Sequence, residues 1–264
     1  VPRISSSGEF AAVYEPGGKT LLAVGPAGGT LLEIPGGIDA AEAGPDGQIA
    51  VITGGSGYLT VSELFDRAGN TIERIGMTDS AMALMAFLPD GTPVDIDRRV
   101  AEADRRICLG NIEFHYFAGY SGGAKAIMPG VSTPAAIQAN HSRMVLPECC
   151  AGALETNPLR LDIEEAGAMV GIDFILNVVL SEHKEILKAV AGDAVKAHRE
   201  GCAFLDTLFR KPLPEAADIV LVSQGGAPKD LNLYQTQKAL DNSKHAIADG
   251  GIIILVGSCK EGLG

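Results

Sequence analysis

Two apolar runs separated by a helical pattern constrain the carboxyl-terminal part of this chain more than any other feature. The run ADIVLVS covers residues 217–223 and the run IIILVGS covers residues 252–258, and a loop and a helix-like stretch ending at glycines lie between them. A strand, a helix and a second strand in this order predict a parallel pair with a right-handed crossover. The preceding segment, RKPLPEA, carries two prolines and indicates a domain boundary near Pro212–Pro214.

The region from about residue 90 to 211 also alternates between helical and strand patterns. Helices are predicted at 98–104, 132–144, 159–171 and 183–209, the last with a break at Gly192–Asp193 as an alternative, and strands at 105–110 and 173–180. Ser132 or Thr133 can cap the second helix, Pro134 suits its first turn, and Gly171 closes the third. Residues 1 to about 75 are looser, with short strand-like runs such as KTLLAV and GTLLEI.

These patterns predict an α/β protein with mostly parallel sheets and two domains that face each other across an active-site cleft. The first domain would cover residues 1–211, with a divergent part at 1–75, and the second would begin at 216 and continue to 264. The sequence stops at CKEGLG, just beyond a predicted strand, so we expect the second domain to be incomplete. Ligands of open α/β sheets bind at the carboxyl ends of strands.

Charge and composition exclude several classes of partner. The net charge of −12 would repel the phosphates of nucleic acids and of anionic membranes. The sequence contains no apolar run of roughly 18 residues, as a membrane span requires, and its amino terminus lacks the features of a signal peptide. Its five cysteines form no C-x-x-C pair. We therefore expect a cytoplasmic protein that binds neither nucleic acid nor membrane.

The stretch HYFAGYSGGAK places several glycines and Lys125 directly after a predicted strand. Glycines at such a point let the backbone approach a ligand closely, and their amides can bind an anion. The spacing differs from that of a P-loop, because Lys125 follows Gly123 by two and Ala126 replaces the hydroxyl residue. On the residues alone, a phosphate-binding module and a tight turn with a solvated lysine remain equal alternatives.

Two histidines flank this lysine. His115 could act as a general base near neutral pH, although a histidine bonded to a backbone carbonyl is the commoner case. His141 could bind a transition metal, but no second ligand stands at a suitable spacing, so the other ligands would have to come from a cofactor. The remaining histidines, His183, His198 and His245, are predicted to face solvent.

Gln235 and Lys238 share one face near the start of the predicted helix in the carboxyl-terminal unit. Gln235 also fits a variant of the capping box with Asn232, and Lys238 could be an ordinary surface cation. Alternatively, both residues lie at the mouth of the cleft, where the lysine would bind a substrate carboxylate.

The segments NIEFHYFAGYSGGAKAIMPGVSTPAAIQANHSRM and GGAPKDLNLYQTQKAL together resemble the nickel-dependent lactate racemase family. The resemblance spans roughly residues 90–264, and it implies a nickel pincer nucleotide cofactor with two sulfurs and a ring carbon on the metal. It implies that Lys125 carries this cofactor as a thioamide and that His141 is the protein ligand of nickel. It further implies that His115 is one of two acid/base histidines and that Gln235 and Lys238 contact the substrate.

The implied reaction is racemisation of a small 2-hydroxy acid, with cofactor-synthesis proteins as partners. A base takes the hydroxyl proton while the C2 hydride moves to the cofactor, and the planar keto acid is reduced again from either face. An epimerase of a larger 2-hydroxy or sugar acid, and an inactive cofactor-binding relic, are the alternatives.

The chain departs from the family pattern upstream. A D-x-T-R-P-like motif is absent from residues 1–75. The segment VITGGSGYLTVSEL resembles the one that bears the second histidine, but Ser56 stands at that place. Serine has no titratable imidazole, so we expect slow racemisation.

Overall fold

The structure is a computed structural model that describes residues 1–55, 57–78, 81–89 and 91–263. Its strands are β1 (Arg3–Ser7), β2 (Phe10–Tyr14), β3 (Thr20–Gly25), β4 (Gly28–Glu33), β5 (Ile38–Ala43), β6 (Ile49–Gly55), β7 (Tyr58–Phe65), β8 (Thr71–Met77), β9 (Met82–Phe87), β10 (Pro93–Asp97), β11 (Ile107–Asn111), β12 (Phe114–His115), β13 (Gly119–Tyr120), β14 (Phe174–Leu180), β15 (Ile186–Gly192), β16 (Ala217–Ser223) and β17 (Ile247–Val256). Its helices are α1 (Arg98–Ala101), α2 (Pro134–His141), α3 (Pro158–Val170), α4 (Lys196–Phe209) and α5 (Leu233–Ser243), with 3-10 turns at Gly123–Ala126 and Ser142–Val145.

The amino-terminal part consists of two four-stranded antiparallel sheets. Strands β1 to β4 form one sheet and β5 to β8 form the other, each in chain order. Alternate residues point to the interface between the two sheets, where Leu21, Ile34, Ile38 and Val51 are fully buried in a common cluster. The short strands predicted for KTLLAV and GTLLEI are confirmed as β3 and β4.

A second core supports the glycine-rich stretch. Strand β14 pairs in parallel with β11 and antiparallel with β15, and α4 packs against β14 and β15. Ile112, Leu159, Ile163 and Ile175 are fully buried in this core. Helix α3 lies against the Gly123–Ala126 turn, so this side of the turn contacts a helix rather than solvent.

The predicted start of α2 and the predicted end of α3 are confirmed. The Thr133 hydroxyl accepts a hydrogen bond from the Ala136 amide at 3.2 Å, and Pro134 occupies the first turn of α2. Gly171 terminates α3 with a left-handed φ of 81°. The Thr133 cap fixes the start of α2, which ends at His141.

The carboxyl-terminal unit has the predicted parallel pair, β16 with β17, joined through α5. Thr236, Ala239 and Ser243 form the buried face of α5. The Asn232 side chain caps this helix by accepting from the Gln235 amide at 3.0 Å. Residues 210–216 lie outside helices and strands, and the two-domain division there stays a prediction.

The predicted fold class is wrong. The structure is mostly β-strand in small sheets, and β11 with β14 and β16 with β17 are the parallel pairs among the described strands. Parallel neighbours require a long crossover, usually a helix. The described residues before Arg98 contain no helix, and short turns join neighbouring strands there, so these strands run antiparallel.

The long helix predicted at 183–209 is also partly wrong. Residues Ile186–Gly192 form β15, and α4 begins at Lys196. Lys184 has a left-handed φ of 66° in the turn between β14 and β15, where the Lys184 amide bonds to the Ser181 carbonyl at 3.0 Å. No helix in the described part of the chain is long and apolar enough to span a membrane.

Candidate active site

The glycine-rich stretch forms the short hairpin β12–β13 and then the 3-10 turn that carries Lys125. Gly122 and Gly123 have left-handed φ values of 77° and 61°. A Cβ atom at Gly122 would lie 2.8 Å from Oδ1 of Asn177, so both conformation and space require glycine there. The glycines therefore shape the backbone that carries the lysine.

Lys125 and His115 lie side by side. The Lys125 Nζ atom is 3.5 Å from Nε2 of His115. Burial, and then the charge of Arg160, lower the pKa of Lys125 to about 8. Burial, followed by the charge of Lys125, lowers the pKa of His115 to about 3. At neutral pH the imidazole is uncharged and the amine has a substantial neutral fraction, which a nucleophilic or acylated lysine requires.

The ring of His115 is oriented by the backbone. Its Nδ1 atom accepts a hydrogen bond from the Ala118 amide at 3.2 Å, so the neutral ring carries its proton on Nε2. In this arrangement Nε2 faces the lysine as a donor. Accepting a substrate proton at Nε2 therefore requires the ring to leave the Ala118 amide.

His141 has the opposite arrangement. Its Nδ1 atom lies 3.1 Å from Oδ1 of Asn140, whose Nδ2 atom donates to the Leu159 carbonyl at 3.2 Å and to Oδ2 of Asp162 at 2.7 Å. Since the Asn140 amide is committed as a donor on its other side, its oxygen accepts from the His141 Nδ1 proton. The Nε2 lone pair of His141 is then available to a metal ion.

The Phe117 ring brings these side chains together. It makes edge contacts with His115, at 4.5 Å between ring centroids, and with His141, at 4.9 Å. The Lys125 Nζ atom is 5.9 Å from the centroid of the same ring. His115, Lys125 and His141 therefore surround one buried aromatic side chain, and their role as one functional site stays a prediction. Phe117 was not among the residues predicted for the site.

Gln235 and Lys238 lie on one face of α5, as predicted. The Lys238 ammonium donates to Oε1 of Gln235 at 2.6 Å and lies 5.6 Å from the centroid of the Tyr234 ring. Lys238 is close enough to His115 for its charge to contribute to the lowered pKa of that histidine. The Gln235 side chain bonds to Lys238, while its backbone amide supplies the bond to the Asn232 cap.

A cleft separates α5 from the β12–β13 hairpin. Its cavity of about 420 Å³ is lined by His115 and Tyr116 on one side and by Gln224, Lys229 and Lys238 on the other. This volume lies within the range of small-molecule sites, roughly 300–1,000 Å³. The cleft therefore places a neutral imidazole opposite two lysines, and Glu113 is an acidic residue in the same lining.

The prediction for His198 is wrong, because its side chain is fully buried. His183 and His245 are exposed, as predicted. His198 lies against the guanidinium of Arg160, a fully buried residue of α3 that the sequence analysis also missed. Because the two residues are far apart in the chain, no local pattern could indicate this contact.

The metal-binding potential of the site depends on His141. Among the described residues, no group of three or more His, Cys, Asp or Glu side chains is arranged to hold a metal ion. A metal bound by His141 would therefore need most of its donors from another molecule. A pincer-type cofactor, which carries its own donors, fits this single imidazole with its free Nε2 atom.

Comparison with known families agrees with the geometry. A lactate racemase N-terminal domain model matches residues 56–151, and a lactate racemase C-terminal domain model matches residues 213–264. The chain belongs to the lactate racemase family. The matched regions include His115, Lys125 and His141 in the first domain and Gln235 and Lys238 in the second. Ser56, at the first matched position, lies outside the described residues.

Individual members of the lactate racemase family are similar to much of this chain. The lactate racemases of Thermoanaerobacterium thermosaccharolyticum and Lactiplantibacillus plantarum are each 37% identical to it, over 82% and 83% of the chain. The aligned parts are 53% and 54% of those proteins, so the chain spans about half their length. The structure of the lactate racemase apoprotein from T. thermosaccharolyticum has a TM-score of 0.65 and 39% identity, covering 69% of this chain and 44% of that one.

Proposed function

We propose that this chain racemises a small 2-hydroxy acid, lactate first among them, in the cleft between His115 and Lys238. Its similarity to proteins named lactate racemase supports this reaction. The observation that carries the proposal is the 3.5 Å separation between Lys125 Nζ and His115 Nε2. The imidazole of His141, whose Nε2 atom is free, lies beside this pair. These groups suit attachment of a cofactor and binding of its metal next to a proton-transfer residue.

The proposed cofactor is a nickel pincer nucleotide attached to Lys125. Lys125 would hold the cofactor through a thioamide, and the lowered pKa of its amine supports this role. Nε2 of His141 would bind nickel, and Asn140 would hold the ring in the required tautomer. When bound, the cofactor would supply the acceptor for the substrate C2 hydride. Cofactor-synthesis proteins would be the partners that deliver it.

The remaining residues would handle the substrate. The Lys238 ammonium would pair with the substrate carboxylate, and Gln235 would hold that ammonium in place through its Oε1 atom. His115 would exchange the hydroxyl proton at Nε2 after its ring leaves the Ala118 amide. Racemisation needs proton transfer on both faces of the keto acid, and the residue that serves the second face is not assigned.

A racemisation assay tests this proposal. The protein is produced together with cofactor-synthesis enzymes, and conversion of L-lactate to D-lactate is followed by chiral chromatography. We expect conversion by the native chain, a loss of roughly 10²–10⁴-fold in His115→Gln, and no loss in His183→Gln, which alters an exposed histidine. The absence of conversion from fully nickel-loaded protein, with larger 2-hydroxy acids also inert, would contradict the proposed activity.

A further inference from the structure

A buried arginine lies beneath the turn that carries Lys125. The Arg160 side chain is 1% exposed. Its Nη1 atom donates to the Tyr120 carbonyl at 3.2 Å and to the Gly122 carbonyl at 3.4 Å. One guanidinium nitrogen therefore holds the backbone on both sides of Ser121, and the planar fork leaves Nε and Nη2 for other partners, which the single nitrogen of a lysine cannot do.

His198 binds the Ser121 carbonyl, which lies between the Tyr120 and Gly122 carbonyls in the chain. Its Nε2 atom lies 2.8 Å from the Ser121 oxygen, so this atom carries the ring proton and donates it. The Arg160 Nη2 atom lies 3.2 Å and 3.3 Å from the two ring nitrogens, so the guanidinium lies against the face of the imidazole. On the other side of the turn, the Gly123 amide donates to Oδ1 of Asn177 at 2.7 Å.

Gly123 packs tightly against Arg160 and His198. A Cβ atom on Gly123 would lie 3.0 Å from Nη2 of Arg160 and 3.0 Å from Cδ2 of His198. Arg160 and His198 thus form a floor that packs against the turn at Gly123, two residues before Lys125. A shift of this floor would move the lysine.

The charge of Arg160 is balanced by α3 itself. Its Nε atom donates to Oε1 of Glu164 at 2.7 Å, and Arg199 also binds Glu164, with contacts of 2.6 Å and 2.9 Å. Glu164 therefore keeps a cationic partner when Arg160 is replaced, so the replacement does not leave a carboxylate buried alone.

We propose that Arg160 is a positioning residue for Lys125. It fixes the backbone from Tyr120 to Gly122 and thereby holds the lysine beside His115. It also places a permanent positive charge beneath this backbone. This inference rests on the proposed role of Lys125 as the cofactor attachment site. The charge of Arg160 is the second cause, after burial, of the lowered pKa of Lys125. Arg160 thus acts on both the position and the protonation of the amine without touching substrate.

The test uses the full chain without cofactor, acetylated with an N-hydroxysuccinimide ester over a range of pH. Peptide mass spectrometry gives the rate at Lys125, and hydrogen exchange of the 119–126 backbone gives the order of the turn. In Arg160→Met, we expect the pH midpoint of acetylation to rise by about one unit, with about tenfold slower reaction at pH 7, and faster amide exchange in the turn. Arg160→Lys keeps the charge but loses the fork, so its midpoint should rise less while exchange is still faster.

The matched control is Arg106→Met. Arg106 also donates to two backbone carbonyls, those of Val100 and Ala101, at a different helix end. We expect this variant to leave both readouts unchanged, which separates a general loss of stability from a local effect. If Arg160→Met does not fold, the exchange readout of Arg160→Lys decides.

The positioning role would be overturned if Arg160→Met left both the acetylation midpoint and the amide exchange unchanged. Where Arg160→Met does not fold, unchanged amide exchange in Arg160→Lys would overturn it. This result would leave the proposed function intact. Conversely, native protein that never acquires cofactor at Lys125 would contradict the proposed function, while the acetylation and exchange results would still decide the role of Arg160.

Discussion

The Nδ1 atom of His141 donates to Oδ1 of Asn140 across 3.1 Å, and this single contact determines which nitrogen of the imidazole is free. Asn140 is fully buried and held by the Leu159 carbonyl and by Asp162. A metal-binding histidine in proteins commonly has such a partner behind it. The arrangement distinguishes His141 from an exposed histidine such as His183.

Loss of this contact should weaken metal binding. In Asn140→Ala, His141 loses the acceptor that fixes its tautomer, and we expect nickel affinity to fall by about 10–100-fold, as for other outer partners of metal ligands. Nickel retained after dialysis against a chelator measures this. Ser142→Ala is the control, because the Ser142 hydroxyl donates to the Ala139 carbonyl instead. Equal retention in Asn140→Ala and native protein would contradict the role of Asn140.

The lowered pKa of Lys125 predicts unusual amine reactivity. With a pKa of about 8, about one tenth of the amine is neutral at pH 7, compared with less than about one thousandth for an ordinary lysine. We expect the acylation rate of Lys125 to approach its maximum above pH 8, while that of the lysine in a short reference peptide added to the sample continues to rise toward pH 10. Peptide-resolved labelling measures both residues in one sample. Identical pH profiles would show that Lys125 is not desolvated.

His198 should make the fold sensitive to acid. Burial, and then the charge of Arg160, lower its pKa from 6.5 to about 4. Between these values the unfolded chain binds a proton that the folded chain excludes, so stability falls as the pH falls through this window and is unaffected above it. The loss attributable to His198 is on the order of 3 kcal/mol at pH 4.

Urea unfolding at pH 7 and at pH 4 measures this loss. His198→Gln should lose less stability on acidification than the native chain, and His183→Gln, which alters an exposed histidine, is the control. Parallel pH dependences of the native protein and His198→Gln would show that His198 titrates normally.

Lys238 is expected to contribute to substrate binding rather than to folding. A charge-assisted hydrogen bond contributes about 1.5–3 kcal/mol, so Lys238→Gln should weaken lactate binding by roughly 10–100-fold. Isothermal titration on loaded protein measures the affinity, and thermal unfolding should be unchanged. Lys244→Gln is the control, because Lys244, at the end of the same helix, pairs with Asp241 at 2.7 Å. Equal lactate affinity in Lys238→Gln and Lys244→Gln would remove Lys238 from the site.

Local signals predicted the start of α2, the end of α3 and the proximity of Lys125 to His115. Thr133, Pro134 and Gly171 specify backbone positions through their own side chains or lack of one, so the ends of α2 and α3 could be predicted. Lys125 and His115 are ten residues apart within one hairpin and turn, and this short separation in sequence predicts that their side chains lie close together.

Contacts between distant segments could not be predicted in the same way. The segment of β15 contains leucine, lysine and alanine, which favour helices, and pairing with β14 overrides that preference. His198 follows a polar helical pattern, yet Arg160 packs against it from another helix. Apolar alternation in the amino-terminal part indicates strands but not their direction, and the direction of those strands contradicts the predicted mostly parallel sheets.

The mass of the protein produced together with cofactor-synthesis enzymes tests the central claim most directly. Intact-mass and peptide analysis should show one covalent adduct on Lys125, with one nickel ion retained per chain. Lys125→Ala should lack the adduct, whereas Lys229→Ala should keep it, although Lys229 also lines the cleft. An adduct on another lysine, or no adduct on a native chain that nevertheless racemises lactate, would contradict the assignment of Lys125.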